Sequence, residues 1–340
     1  MLAFRWLVVG CQAATLLITW PLWQVRGAGD GPPMVPLLDL PRVDLGVAIM
    51  FSLAVILIAP VPGFTLHVLL LLFAVAIDQT RLQPEVVSLA FLIWGTLPGS
   101  TGKAFARAHL VSMWFFAGVN KLFSPGFRDG TAQWMVSGLT DDPPRWLYEN
   151  AGWVIGGTEL TIGILAFIPW TRKLAALAAV GLHAGILLDL SPRGHDWNES
   201  VWPWNVALAF AGMALIWPWT ESPRQWVGSL TPALRPLLIL LLISPLGFYV
   251  GVTDAYLAHN LYSSNTASAS VRCEDSCEPY QQPDKTWEAF NVPLPPEHRI
   301  FKTYFRESCE PGDVLTILDT RWWFREHGQD IVRVQCPSSG

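Results

Sequence analysis

Apolar runs long enough to cross about 30 Å of hydrocarbon follow one another through the first 252 residues. They cover approximately residues 3–23, 44–60, 64–78, 85–99, 104–122, 151–169, 172–190, 202–219 and 233–252. Such a series leaves little freedom of fold, because backbone polar groups in lipid must be satisfied within each segment. Only 14% of the residues are charged, against about 25% in a soluble domain. The expectation is an all-α polytopic membrane helical bundle of about nine transmembrane helices, carrying a small β-rich extracytoplasmic C-terminal domain. The third and fourth runs are short. The first could pass for a signal peptide, but no small-residue cleavage site follows it, so it reads as a retained anchor.

Charge marks where the bundle ends. Up to Val252 there are 14 Lys/Arg against 14 Asp/Glu, and from Thr253 onward 8 against 13. The whole net charge of −5 therefore falls in the tail, which divides the chain into residues 1–252 and 253–340. No basic patch suited to nucleic acid is present. Cys11 lies alone in the first apolar run, while Cys273, Cys277, Cys309 and Cys336 are confined to the tail. Four cysteines in one small polar region read as two disulfides in an oxidising compartment, with Cys309–Cys336 the long bond. A four-cysteine zinc site would favour two close pairs, and only Cys273 and Cys277 are close.

The positive-inside rule, counted with the N-terminus inside, gives seven basic residues in cytoplasmic connections and six in outer ones. That narrow margin agrees with the tail, because an odd number of crossings places its disulfides outside. The expected location is the cell membrane, with a cytoplasmic N-terminus. Trp134, Met135, Val136 and Leu139 sit at helical spacing between the fifth and sixth runs, predicting a short helix lying on the outer surface. Most of the tryptophans flank segment ends and serve as interfacial anchors. In the tail, Val314–Leu318 and Ile331–Val334 alternate as strands do, and 263–270 reads as a polar linker.

Ionisable groups within the apolar runs are costly, so each is a functional candidate. At 1.5 Å per residue, Glu159 and His183 both lie roughly 12 Å below the outer surface. Lys121 ends the fifth run on that side, Asp78 and Gln79 the third, and Asn205 begins the eighth. The candidates are thus Lys121, Glu159 and His183 for catalysis, with Asp78, Gln79, Arg81 and Asn205 around a substrate. The blander alternatives are a snorkelling Lys121 and a satisfied core His183. An unperturbed lysine is protonated at neutral pH, with a pKa near 10.4. A base role therefore requires Glu159 to be neutral, distant, or hydrogen-bonded to His183. His109 reads as interfacial and His67 as isolated. His195-Asp196 is a weak candidate for a metal, and no metal site is assigned.

The run Phe115-Phe116-Ala117-Gly118-Val119-Asn120-Lys121-Leu122, followed by Pro125-Gly126-Phe127 and Gly130, resembles a known family. It is similar to the horizontally transferred transmembrane (HTTM) domain of vitamin K-dependent γ-carboxylase and its bacterial relatives. The tail phrase Pro293-Leu294-Pro295-Pro296-Glu297 with Tyr304-Phe305 also looks like those relatives. The resemblance implies a quinone-type pocket, a quinone or vitamin K hydroquinone as cofactor, and Lys121 as the catalytic group. The carboxylase's Trp-Asn-Asn-His run is absent, with Asp78 to Pro84 in its place, and so is the large lumenal portion. Peptide glutamate carboxylation is therefore not expected. A distant DoxX-like relation is a second resemblance, implying a non-catalytic membrane component that supports a redox or secretion partner. A transporter is disfavoured, since no repeat symmetry is visible. The expected partners are the bilayer and a lipid-soluble quinone, and the protein partner is unknown.

Overall fold

The structure, a computed structural model, describes residues 1–27, 31–140, 142–273 and 280–337. Helices occupy all nine apolar runs: α1 Leu2–Ile18, α2 Gly46–Ile58, α3 Pro60–Ile77, α4 Pro84–Thr96, α5 Thr101–Leu122, α7 Arg145–Phe167, α8 Arg172–Leu190, α9 Trp202–Ala211 and α11 Arg235–Ile243. The short helix α6, Ala132–Leu139, lies between α5 and α7, and α10, Pro223–Gly228, lies between α9 and α11. Proline opens α3 and α4 and occupies the first turn of α9 and α11, where its missing N–H costs nothing.

The helices differ in reach. Two described helices, Pro60–Ile77 and Arg172–Leu190, are both long and apolar enough to cross a membrane. α2 and α4 have 13 residues each, about 20 Å of helix, well short of a full span. All nine runs expected to cross are helical, and among the described residues two of them meet the length and composition of a crossing.

Apolar side chains lie on the outside of the bundle as well as in its core. Ile58 is 86% exposed, and Phe51, Leu69, Leu72, Leu177 and Leu240 also face outward. Gln12, Ser52, His67, His109 and Asn205 are inside. His67 is not isolated: its Nδ1 lies 2.8 Å from Ser52 Oγ.

Helix α5 packs backbone to backbone against α7. A Cβ on Gly118 would lie 2.3 Å from the backbone nitrogen of Leu160, and one on Gly163 would lie 2.5 Å from that of Phe115. Only glycine lets these backbones meet, and the contact brings the end of α5 against the middle of α7.

After α11 the chain continues as a tight helical turn, Ser244–Val250, and Gly251, with φ +71°, reverses it. Residues 252–264 then run back into the bundle as a strap. Asn120 donates to Ala258 O at 2.9 Å and accepts from the Tyr249 hydroxyl at 2.6 Å. From the other side, Glu297 accepts the Ala255 N–H at 2.7 Å, and Arg299 grips Asp254 with two hydrogen bonds of 2.7 and 2.5 Å.

The tail forms a four-stranded antiparallel sheet in the order β2–β1–β3–β4: β1 Ser268–Arg272, β2 Tyr280–Gln281, β3 Val314–Leu318 and β4 Ile331–Gln335. Helices α12 (Gln282–Phe290), α13 (His298–Ser308) and α14 (Trp322–Glu326) accompany it, so the unit is mixed and not simply β-rich. Ala269, Val271, Leu315 and Ile317 line one face of the sheet against Ile300, Phe301, Tyr304 and Phe305 of α13. The end of the expected linker at 263–270 is thus strand β1, its alternation hidden by small residues. Cys309 and Cys336 are disulfide-bonded, with Cα atoms 5.8 Å apart. Cys273 is also disulfide-bonded, and Cys277 lies outside the described residues.

Candidate functional site

Every fourth residue of α5 from Phe105 onward, through His109, Met113, Ala117 and Lys121, faces one cavity of about 900 Å³. The opposite walls come from α4, α7, α8, α9, α11 and the strap. The volume is in the range of small-molecule sites. The lining is mainly apolar, and its exposed members include Leu139 of α6, Leu237 and Leu240 of α11, and Val252 and Leu257 of the strap. The cavity's exposed border is thus aliphatic.

At one end Lys121 Nζ stands 2.7 Å from Glu159 Oε2, with both side chains almost wholly buried. His183 sits nearby with both ring nitrogens occupied. Trp114 Nε1 donates to Nε2 at 3.1 Å, so Nδ1 carries the proton and donates to Asn205 Oδ1 at 2.9 Å. Asn205 completes the chain by donating to Val201 O at 3.0 Å. Lys121, Glu159, His183 and Asn205 therefore line one cavity. Of the three arrangements a base role requires, the geometry excludes two, a distant Glu159 and one bonded to His183. Glu159 is neither distant nor directed to His183, and it holds the amine directly. His183 is the satisfied core histidine. This end can hold a polar group by hydrogen bonds to an ion pair, without a free general base.

Asp78, Gln79 and Arg81 lie elsewhere and do not line the cavity. Asp78 pairs with Arg26 and accepts from Val35 N and Thr80 N at 3.1 Å each. Arg81 donates to Leu22 O at 2.8 Å, and Gln79 Oε1 accepts from Arg299 at 2.8 Å. These residues tie the end of α3 to Leu22, Arg26 and Val35 and to the tail, giving each buried charge the partner its desolvation requires. Their sequence position beside the outer helix ends was read as a substrate contact. Apart from Thr80, the partners that make them structural come from residues more than forty positions away.

His195 is spent on packing: its ring stacks on Trp134 at 3.7 Å, and Nε2 contacts Trp134 O at 2.8 Å. No group of three or more metal-binding side chains occurs among the described residues. Several residues lining the cavity were not foreseen: Ser88, His109, Tyr256, His259 and Tyr262. His109 is buried, not interfacial. The four-residue ladder on α5 was the signal that could have found it.

A family model matches residues 100–190, that of methylamine utilisation protein MauE. The similarity to MauE runs from α5 to the end of α8, so it spans Lys121, Glu159 and His183. It overturns the resemblance to the HTTM domain and to γ-carboxylase. The Phe115–Leu122 motif that carried that resemblance lies inside the MauE stretch, and a helix end of this kind recurs wherever two helices need a close glycine contact. No curated protein matches the chain, and no solved structure does.

Proposed function

We propose that the chain is a membrane-embedded accessory protein that binds a lipid-soluble molecule, quinone-like in class, in the α5 cavity. The observation that carries this reading is the cavity's exposed aliphatic border together with a buried polar end. A ligand enters past Leu139, Leu237, Leu240, Val252 and Leu257, which suits a lipid-borne molecule better than a water-borne one. Membrane embedding is supported by the outward-facing Leu, Ile and Phe side chains and by the polar groups set within the bundle. That arrangement is stable only where the surrounding solvent is itself apolar. The ion pair and the fully bonded His183 favour holding a ligand over acting on it.

The similarity to a methylamine utilisation protein supports an accessory role beside a redox partner, for which the tail is the available surface. Mass spectrometry of lipid extracts tests the binding. Ala117 lines the cavity without bonding anything, so Ala117→Phe fills it and spares the polar groups. A lipid-soluble molecule should co-purify with the wild type and be lost from Ala117→Phe. Identical extracts from the two proteins would sink the reading.

A further inference from the structure

The cavity has a second polar end. His109 stands twelve residues before Lys121 on the α5 ladder, about 18 Å away at 1.5 Å per residue. Its Nε2 lies 2.7 Å from Ser88 Oγ, and its ring is stacked on Phe91 at 4.8 Å. The strap brings His259 edge-on to the same ring at 5.3 Å. His109 Nδ1 is buried without a hydrogen-bond partner, and so is the hydroxyl of Tyr262, which also lines the cavity. Between the two ends the wall is apolar, with Met113 and Ala117 on α5 facing Leu182 and Leu208.

Leaving a buried polar group unmade costs roughly 1–3 kcal/mol. A cavity that only received a hydrocarbon tail at its far end would have no use for an imidazole there. His259 holds its place with a left-handed backbone, φ +59°, which a non-glycine residue rarely adopts. Two polar ends, one apolar barrel and an unpartnered imidazole nitrogen describe the complement of an elongated molecule with an oxygen function at each end.

We propose that the ligand of this cavity is bifunctional: an apolar body with one hydrogen-bonding oxygen seated at Lys121–Glu159 and a second at His109, Ser88 and His259. This rests on the reading that the cavity binds a lipid-soluble molecule, and deepens it by specifying the far end. The oxygen at the His109 end can be a hydroxyl or a carbonyl, since a neutral imidazole can either donate or accept.

The test uses the purified full-length protein in lipid nanodiscs, with tritiated dodecane-1,12-diol as probe and unlabelled diol and 1-dodecanol as competitors. The two competitors share the body and differ in one hydroxyl. The diol should compete at least tenfold better than the alcohol. His109→Leu and Ser88→Ala should each weaken the diol toward the alcohol and leave the alcohol unchanged. Ser88→Ala is small enough to guard against a folding artefact. Equal competition by diol and alcohol, with both abolished by Ala117→Phe, overturns the bifunctional ligand and leaves the cavity reading standing. Failure of the probe to bind wild type above Ala117→Phe overturns both.

Discussion

Lys121 and Glu159 form a buried ion pair in the cavity wall, and their chemistry predicts an asymmetric response to mutation. Removing one partner strands the other charge, so Lys121→Met or Glu159→Gln should each cost about 3 kcal/mol of stability. Replacing both, Lys121→Met with Glu159→Leu, should recover most of that loss, because no uncompensated charge remains. Thermal unfolding of the four proteins in one detergent checks this. A double variant as unstable as the sum of the singles would show that the pair does more than neutralise itself. In the tail, Asp319 accepts from His298 at 2.9 Å and from Arg321 at 2.6 Å. Burial alone would raise its carboxyl, but the hydrogen bonds from His298 and Arg321 outweigh it and bring the pKa down from 3.8 to about 2. A carboxylate lowered by folding contributes stability above its ordinary pKa and loses it as the pH falls through the lowered one. The stability gap between wild type and Asp319→Asn should therefore be constant above about pH 5 and shrink between about pH 4 and pH 2. A gap that held its size to pH 2 would contradict the assignment.

At the scale of elements, the α5–α7 contact decides whether the site exists. Gly118 has no room for a methyl group, whereas a Cβ on Gly157, one helix turn from the same interface, meets nothing within 4 Å. Gly118→Ala should separate the helices and destabilise by about 1–3 kcal/mol or more, as overpacking does. It should also weaken ligand retention by pulling Glu159 from Lys121. Gly157→Ala should be neutral or slightly stabilising, since alanine is the better helix former by roughly 1 kcal/mol. Parallel melting curves separate the two, and equal behaviour would mean the interface is looser than its backbone distances imply.

At the scale of the whole molecule, the strap couples the tail to the bundle. Residues 252–262 line the cavity beside the helices, so packing divides the chain later than its charge distribution does. Glu297, Arg299 and Asn120 fix the strap from opposite sides, and a partner that binds the tail would act on the cavity through them. We propose that the N-terminus is cytoplasmic and the tail extracytoplasmic. Single cysteines at Lys173 and Gln329, both exposed, test this in a chain carrying Cys11→Ser. An impermeant maleimide applied to intact cells should label position 329 and leave position 173 untouched. The reverse pattern would invert the orientation.

The nine bundle helices and the strands at 314–318 and 331–334 were legible in the order of residues, because apolar runs and alternation report on local structure, whereas α12, α13 and α14 of the tail were not. That the tail carries disulfides was legible too, from the even number of cysteines confined to one region, although four cysteines by number alone allow three pairings. Lys121, Glu159, His183 and Asn205 could be picked out as costly polar residues, but not their state. Whether an amine is free or held depends on a carboxylate 38 positions away, and the tautomer of His183 depends on Trp114, 69 positions away. The strap was beyond reach for the same reason. Composition marks residues 253–264 as polar tail, and only the bonds from Asn120, Glu297 and Arg299 fold them back over the cavity. Hydrophobic pattern determines which segments become helices, since that is a matter of local periodicity and solvent. The juxtaposition of helix faces decides what the polar residues become, since a buried charge takes its chemistry from whichever partner the tertiary structure brings within 3 Å.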